Sequence, residues 1–233
     1  MRYDVVFLDV DKTILWVDVD IEGYVEDLAP YTKNGSLTVE QAEGAVWEGM
    51  RKHIYENINY QTEEELAEFR RNNARDTARN LGLDVPGEVL DQVQERRILY
   101  NPYPESEAVM EELAGMGLPL YTVSNWDVAL RTVLEDLGWT RYFEGIVASA
   151  EVGSEKPDGH IFEEALRVAG FTGRRDRVVH VGNDPVSDIR GAASSGIDAV
   201  LIDREGCLKA PEALVTLPDL RGLPALVRGR EDG

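Results

Sequence analysis

From Asn101 to Ile202, short apolar runs rich in β-branched residues alternate with stretches of helical spacing, and this alternation limits the fold more than any other feature. Candidate helices Glu105–Gly115, Val128–Leu137, Gly159–Ala169 and Asp188–Gly196 interleave with candidate strands Leu118–Val123, Gly145–Ser149, Arg177–Val181 and Ala199–Ile202. Strands joined by crossover helices form a parallel sheet with helices on its faces. One more strand, Val5–Leu8, lies far upstream with no other sheet to join. The expected class is α/β: a Rossmann-like parallel sheet core in three layers.

Between that strand and the alternating region the pattern is all helical. Helices are expected from Asp18 to Leu28, from a capping box at Thr38-Val-Glu-Gln41 towards Tyr55, from a second at Thr62-Glu-Glu-Glu65 to Leu81, and from Pro86 to Ile98. Gly82 stops one helix, and "NPYP" at Asn101–Pro104 ends the region. The expected organisation is an α/β core of residues 1–15 and 103–233, interrupted by a helical insertion over 16–102. The terminal "RGREDG" is expected to fray.

Composition narrows the function. A formal charge of −20 opposes sequence-independent nucleic-acid binding, which depends on Lys and Arg meeting phosphates. The sequence has no run of apolar residues long enough to predict a membrane span. The acids in "MRYDVVFLDV" are wrong for a signal peptide, and one cysteine, Cys207, forms no internal disulfide, so the cytoplasm is the expected compartment.

In open α/β sheets ligands bind beyond the carboxyl ends of the strands. After Val5–Leu8 come Asp9, Asp11 and Thr13; after Leu118–Val123 come Ser124 and Asn125; after Gly145–Ser149 comes Lys156; after Arg177–Val181 come Asn183, Asp184 and Asp188. Carboxylates, a hydroxyl and a lysine suit Mg²⁺ and a phosphoryl group. Phosphate monoesters hydrolyse very slowly unaided, so the site needs a nucleophile and charge neutralisation. Asp9 is the candidate nucleophile through an aspartyl-phosphate, and Asp11 the candidate acid and base. Acids this close repel unless a cation sits among them. Asp9, the Asp11 carbonyl and Asp184 are the candidate ligands of Mg²⁺. Ser124 and backbone N–H groups are expected to hold phosphoryl oxygens, with Lys156 neutralising their charge.

The four motifs "DVDKT", "TVSN", "EKP" and "GNDPVSD", in this order, resemble those of haloacid dehalogenase-superfamily hydrolases of the phosphatase kind. The resemblance covers essentially the whole chain and implies a helical cap inserted after the first motif. It implies Asp9 as nucleophile, Asp11 as acid/base, and Thr13, Ser124, Asn125 and Lys156 around the phosphate. Asp184 is then the acidic metal ligand, with Asp188 supporting it or Lys156. The implied activity is Mg²⁺-dependent hydrolysis of a small phosphorylated metabolite. The sequence departs from the pattern at Lys12, where most phosphatase members have Gly, and at Asn183, often an acid. The main fourth-motif ligand is therefore open among Asn183, Asp184 and Asp188.

Plainer roles apply elsewhere. Lys12 reads as a loop residue facing the cap or solvent, and His180 as a core strand residue. His53 and His160 lack the spacing of a metal site. Trp16 and Trp126 read as packing residues, and Arg70, Arg71, Arg96 and Arg97 as a solvated helix face. Among rival activities, a 2-haloacid dehalogenase usually has an aromatic residue where Asp11 stands. A phosphomutase differs only through its cap. A non-catalytic member would be expected to have lost part of the set Asp9, Asp11, Ser124, Lys156 and Asp184.

Overall fold

A computed structural model describes residues 1–32 and 37–229. In chain order the elements are β1 (Val5–Leu8), β2 (Leu15–Val19), α1 (Ile21–Leu28), α2 (Val39–Glu56), α3 (Glu63–Asn80), α4 (Gly87–Arg97) and β3 (Ile98–Pro102). Next come α5 (Ser106–Gly115), β4 (Leu120–Ser124), α6 (Leu130–Asp136), β5 (Gly145–Ala148), α7 (Ser149–Val152), α8 (Gly159–Val168) and β6 (Val178–Gly182). A wide helical turn over Pro185–Arg190 leads into α9 (Gly191–Ser194), β7 (Asp198–Ile202), β8 (Val215–Leu217) and α10 (Leu223–Arg228).

The chain divides into two compact units, Met1–Trp16 with Pro102–Gly233, and Val17–Asn101. The first holds a six-stranded sheet in the order β5-β4-β1-β6-β7-β8. Every pairing in it is parallel, with Phe7 opposite Tyr121 on one side and His180 on the other. The sheet is flanked by helices, as expected of a Rossmann-like α/β fold. Alternate residues of successive strands build one buried face: Val5 and Phe7, Tyr121 and Val123, Val147, Ala199 and Leu201. Ile161, Phe162, Ala165 and Leu166 of α8 pack on that face. This is the period-two burial of strands meeting the apolar stripe of a helix.

The second unit is helical. Its core gathers Tyr24 and Leu28, Ala42 and Val46, Ala74 and Ala78, and Leu90 and Val93. Both expected capping boxes form: Thr38 with Gln41 opens α2, and Thr62 with Glu65 opens α3. The expected helix from Asp18 is shorter than its pattern. Trp16-Val-Asp-Val19 belongs to β2, so α1 begins at Ile21 behind the cap Asp20. β2 pairs with β3 in a separate two-stranded sheet.

Arg97 and Arg96 are not a free solvated face. Arg97 binds Asp20 and Asp27, both at 2.7 Å, and Arg96 binds Asp27 at 2.8 Å. Edge strand β8 comes after an irregular loop and had no periodic signature. The end of "RGREDG" beyond residue 229 lies outside the described residues.

Candidate functional site

β1 lies between β4 and β6. The chain therefore builds outward on one side of β1, through β4 to β5, and then on the other, through β6 to β7. The connection leaving the carboxyl end of β1 runs to β4 and the one leaving its neighbour β6 runs to β7, on opposite sides. Such a reversal opens a crevice beyond the strand ends, where α/β proteins bind ligands. Asp9 stands there, anchored by its N–H to the carbonyl of Val181 at 2.9 Å.

Asp9 is buried, and three side chains converge on its carboxylate. Lys156 Nζ donates to Oδ1 at 2.7 Å, Ser124 Oγ to Oδ1 at 3.0 Å and Thr13 Oγ1 to Oδ2 at 3.0 Å. Lys156 also binds Asp188 Oδ1 at 2.5 Å. All five side chains are nearly sealed from solvent. The structure thus brings together residues from the ends of β1 and β4, the loop before α8 and the turn after β6.

The loops are shaped for this contact. Asn125 clamps the main chain of Lys156 twice: its Nδ2 donates to the carbonyl at 2.9 Å, and its Oδ1 accepts the N–H at 2.7 Å. Ser149 ties the neighbouring Trp126 main chain in the same way, accepting its N–H at 3.1 Å and donating to its carbonyl at 3.2 Å. Gly182 admits Asp188, because a Cβ on Gly182 would lie 2.1 Å from the Asp188 Cγ. Gly191 lets the helical turn approach the Lys156 loop, since a Cβ there would lie 3.0 Å from the Pro157 Cα.

Charge is set by burial and partners. Burial penalises ionisation of Asp188, but Lys156 and a hydrogen bond from His180 outweigh it and hold the carboxyl well below the usual range. Burial works against the Lys156 ammonium too, yet Asp188 and Asp9 raise its pKa above the ordinary lysine value. Burial pushes Asp9 up, and the Asp188 charge adds to this against the pull of Lys156. Burial also lowers the His180 pKa below the ordinary imidazole value, against the pull of Asp188. One ammonium between two carboxylates leaves a net negative centre suited to a further cation.

The fourth loop divides its labour. Asp188 takes the lysine. Asp184 is exposed, and its Oδ1 accepts the N–H groups of Val186 and Ser187 at 2.8 and 2.6 Å, capping the helical turn. Asn183 Oδ1 lies 3.4 Å from the Thr13 hydroxyl and so reaches the Thr13–Asp9 pair. Among the described residues no group of three or more His, Cys, Asp or Glu forms a metal cluster. Available instead are a carboxylate at Asp9, the Asp11 carbonyl, and the amide and carboxylate oxygens of Asn183 and Asp184. Mg²⁺ commonly takes only one or two protein carboxylates and fills its octahedron with other oxygens, so this donor chemistry fits it.

Lys12 explains itself through its backbone. Its φ of 59° is the only positive value at a non-glycine position among the described residues. Glycine adopts that conformation without the clash a Cβ brings, so the glycine expected there answers a backbone demand. The Lys12 side chain is exposed. Trp126 is buried, and Trp16 lies against Tyr103 with ring centroids 4.9 Å apart.

Two residues that sequence reasoning missed support the site. Arg204, in the loop after β7, donates to the Thr13 carbonyl at 2.9 Å and to Glu105 at 2.7 Å, with its guanidinium 3.4 Å above the Tyr103 ring. The rule that located the other loops, reading the residues just beyond each strand, would have found it after Ala199–Ile202. His180 is buried as expected of a core residue, but its Nε2 lies 2.9 Å from Asp188 Oδ1. Only its place in "VVHVG", before the acidic loop, hints at this.

A buried carboxylate–lysine centre at the switch point of a parallel sheet places the chain among α/β proteins with an acid-rich site at the strand ends. The family model for haloacid dehalogenase-like hydrolases matches residues 3–196, and the chain belongs to that family. It is 37% identical over 113 residues to a glyceraldehyde 3-phosphate phosphatase of Methanothermobacter thermautotrophicus, covering 46% of this chain and 47% of that one. It is 38% identical over 129 residues to a phosphoserine phosphatase of Thermus thermophilus, covering 55% and 49%. The chain thus spans about half the length of the curated relatives it matches. A 2-haloacid dehalogenase of Pseudomonas syringae shares the fold, with a TM-score of 0.67 at 24% identity over 97% of this chain and 98% of that one.

Proposed function

We propose that the chain is a phosphomonoester hydrolase that acts on a small phosphorylated metabolite through an aspartyl-phosphate on Asp9. The observation that carries this reading is the set of three donors, Lys156, Ser124 and Thr13, around one buried carboxylate at the switch point. The relatives named as phosphatases, one for glyceraldehyde 3-phosphate and one for phosphoserine, support the reaction class.

In this mechanism an oxygen of Asp9 attacks phosphorus and the ester P–O bond breaks. Asp11 gives its proton to the departing alkoxide. Water then attacks the phosphorus, Asp11 takes a proton from it, and the bond to Asp9 breaks to release phosphate. Ser124 and Lys156, already held beside Asp9, stabilise the phosphoryl oxygens as charge gathers there. Thr13 and Asn125 act one step back, Thr13 by orienting Asp9 and Asn125 by holding the Lys156 main chain. Asp188 keeps Lys156 in place. Mg²⁺ held by Asp9, the Asp11 carbonyl and an oxygen of Asn183 or Asp184 would neutralise phosphoryl charge and relieve the repulsion among the acids. Residues 16–102 are read as the helical cap inserted after the first motif. The exposed free thiol of Cys207 suits a reducing cytoplasm.

The test is turnover of an aryl phosphate and of 2-chloropropionate, each with Mg²⁺ and with EDTA, by the native chain and Asp9→Asn. Phosphate release that needs Mg²⁺ and disappears in Asp9→Asn is expected. Halide release indifferent to EDTA would replace this reading with a dehalogenase, a chemistry in which Asp11 has no leaving alkoxide to protonate.

A further inference from the structure

We propose that His180 is a positioning residue: its Nε2–H locks the Asp188 carboxylate, and Asp188 in turn sets the Lys156 ammonium against Asp9. The proposal rests on the phosphatase reading for its kinetic arm alone. Four buried side chains form an unbroken line, with His180 Nε2 to Asp188 Oδ1 at 2.9 Å, Lys156 Nζ to the same oxygen at 2.5 Å, and Lys156 Nζ to Asp9 Oδ1 at 2.7 Å. The second Asp188 oxygen accepts the Asp184 N–H at 2.8 Å, so the carboxylate is fixed from three directions.

The imidazole is an odd choice for its position. Residue 180 sits mid-strand, fully buried, edge-on to the Phe162 ring at 5.2 Å, where an apolar side chain would bring no polar atom needing a partner. Its Nδ1 has no hydrogen-bond partner, and an unsatisfied buried nitrogen is a penalty the site tolerates only for the contact its other nitrogen makes. Asp188 is an acceptor, so the single ring proton belongs on Nε2. Lys156 has three protons and a flexible stem, and it keeps one orientation only if its carboxylate partner cannot turn. The imidazole ring supplies that stiffness from a strand, the most rigid element available.

The near-isosteric pair His180→Met and His180→Gln separates this role from core packing. His180→Met removes the donor and the unsatisfied Nδ1 together, whereas His180→Gln keeps an N–H at similar reach. The expected result is that Met lowers kcat on the aryl phosphate about tenfold or more with a melting temperature at or above native, while Gln recovers it to within about threefold. Native kcat in His180→Met would overturn the proposal. Two spectroscopic readouts hold if the Met variant fails to fold or the native chain turns over no phosphate ester. In the native protein, ¹⁵N shifts of the His180 ring should report the Nε2–H tautomer, and an Nδ1–H tautomer refutes the lock. The Lys156 ammonium should give a protected ¹H–¹⁵N signal that broadens in a folded donor-free variant and persists in His180→Gln. An unchanged signal in both variants also refutes it.

Discussion

Lys156 is the keystone of the charge cluster, and replacing it with Met tests the electrostatic reading most sharply. Methionine keeps most of the stem and removes the ammonium. Lys156 is 3% exposed and lies 2.7 Å from one buried carboxylate and 2.5 Å from another. At an effective dielectric of about 20 each contact has a Coulomb attraction on the order of 6 kcal/mol, most of it offset by the cost of desolvating three ions. Removing one partner from a buried cluster costs about 3–5 kcal/mol, because the remaining charges stay buried and unpaired. That is a fifth or more of a stability of about 5–15 kcal/mol. The urea midpoint should fall by roughly 1–3 M.

The pH dependence carries the sign. In the native chain the Asp188 pKa lies below its unfolded value, so its contribution is present above about pH 4 and lost as pH falls through the folded value. The Lys156 pKa is raised, so its contribution is present below about pH 10 and lost above the folded value. In Lys156→Met, burial and mutual repulsion place both carboxyls above their unfolded values, and stability now falls as pH rises. The gap between native and variant should therefore be small near pH 4 and widen towards pH 7. Urea titrations in EDTA at several pH values measure it with no divalent cation to replace the lost charge. A gap under about 0.5 kcal/mol at pH 7, or one that does not change with pH, would falsify the account of a buried ion cluster. Adding Asp188→Asn to Lys156→Met should recover part of the loss, since one buried charge then remains in place of two.

Three other perturbations probe the scaffold. Gly182→Ala puts a methyl where the Asp188 carboxyl lies, and it should destabilise the chain by about 1–3 kcal/mol in urea and lower kcat at the same time. Lys12→Gly removes a left-handed backbone penalty of about 1 kcal/mol against a similar gain in unfolded-chain entropy, so stability should shift by less than about 1 kcal/mol. Its aryl phosphate turnover should stay within about tenfold, and a larger loss would make Lys12 a functional cation. Arg204→Leu deletes the bond to the Thr13 carbonyl and leaves buried Glu105 with only the longer Arg221 contact at 4.0 Å, so it should cost about 1–3 kcal/mol. Its kcat should fall more than its KM rises, because Thr13 orients Asp9.

How much the sequence showed depended on how local each signal was. Apolar runs and helix caps act over a few residues, which is why the strands Val5–Leu8 and Gly145–Ala148 and the capping boxes at Thr38 and Thr62 were legible. β2 was hidden because Trp16-Val-Asp-Val19 runs straight into a helix, and β8 because three residues carry no measurable period. The rule about strand ends gathered Asp9, Ser124, Lys156 and Asp188, and the structure places these four in contact. It could not apportion their neighbours, since which atom of Asn125 or Asp184 is already engaged depends on turn geometry. Asn125 commits its amide to Lys156, and Asp184 commits an oxygen to its own helical turn.

Parallel topology also accounts for the two aspartates of "DVDKT". A carboxylate at the end of a buried strand is tolerable when its partners come from other strands. A parallel sheet supplies them, because it brings several strand ends to one edge whatever their separation in sequence. Asp9 and Lys156 are 147 residues apart, and Asp9 and Ser124 are 115. Such distances impose no local signature, yet the strand order makes the contacts unavoidable once β1 sits between β4 and β6. The acids of the first loop are therefore a property of the whole sheet, and a change that shifts a strand end, as Gly182→Ala would at β6, should disturb Asp9 without touching it.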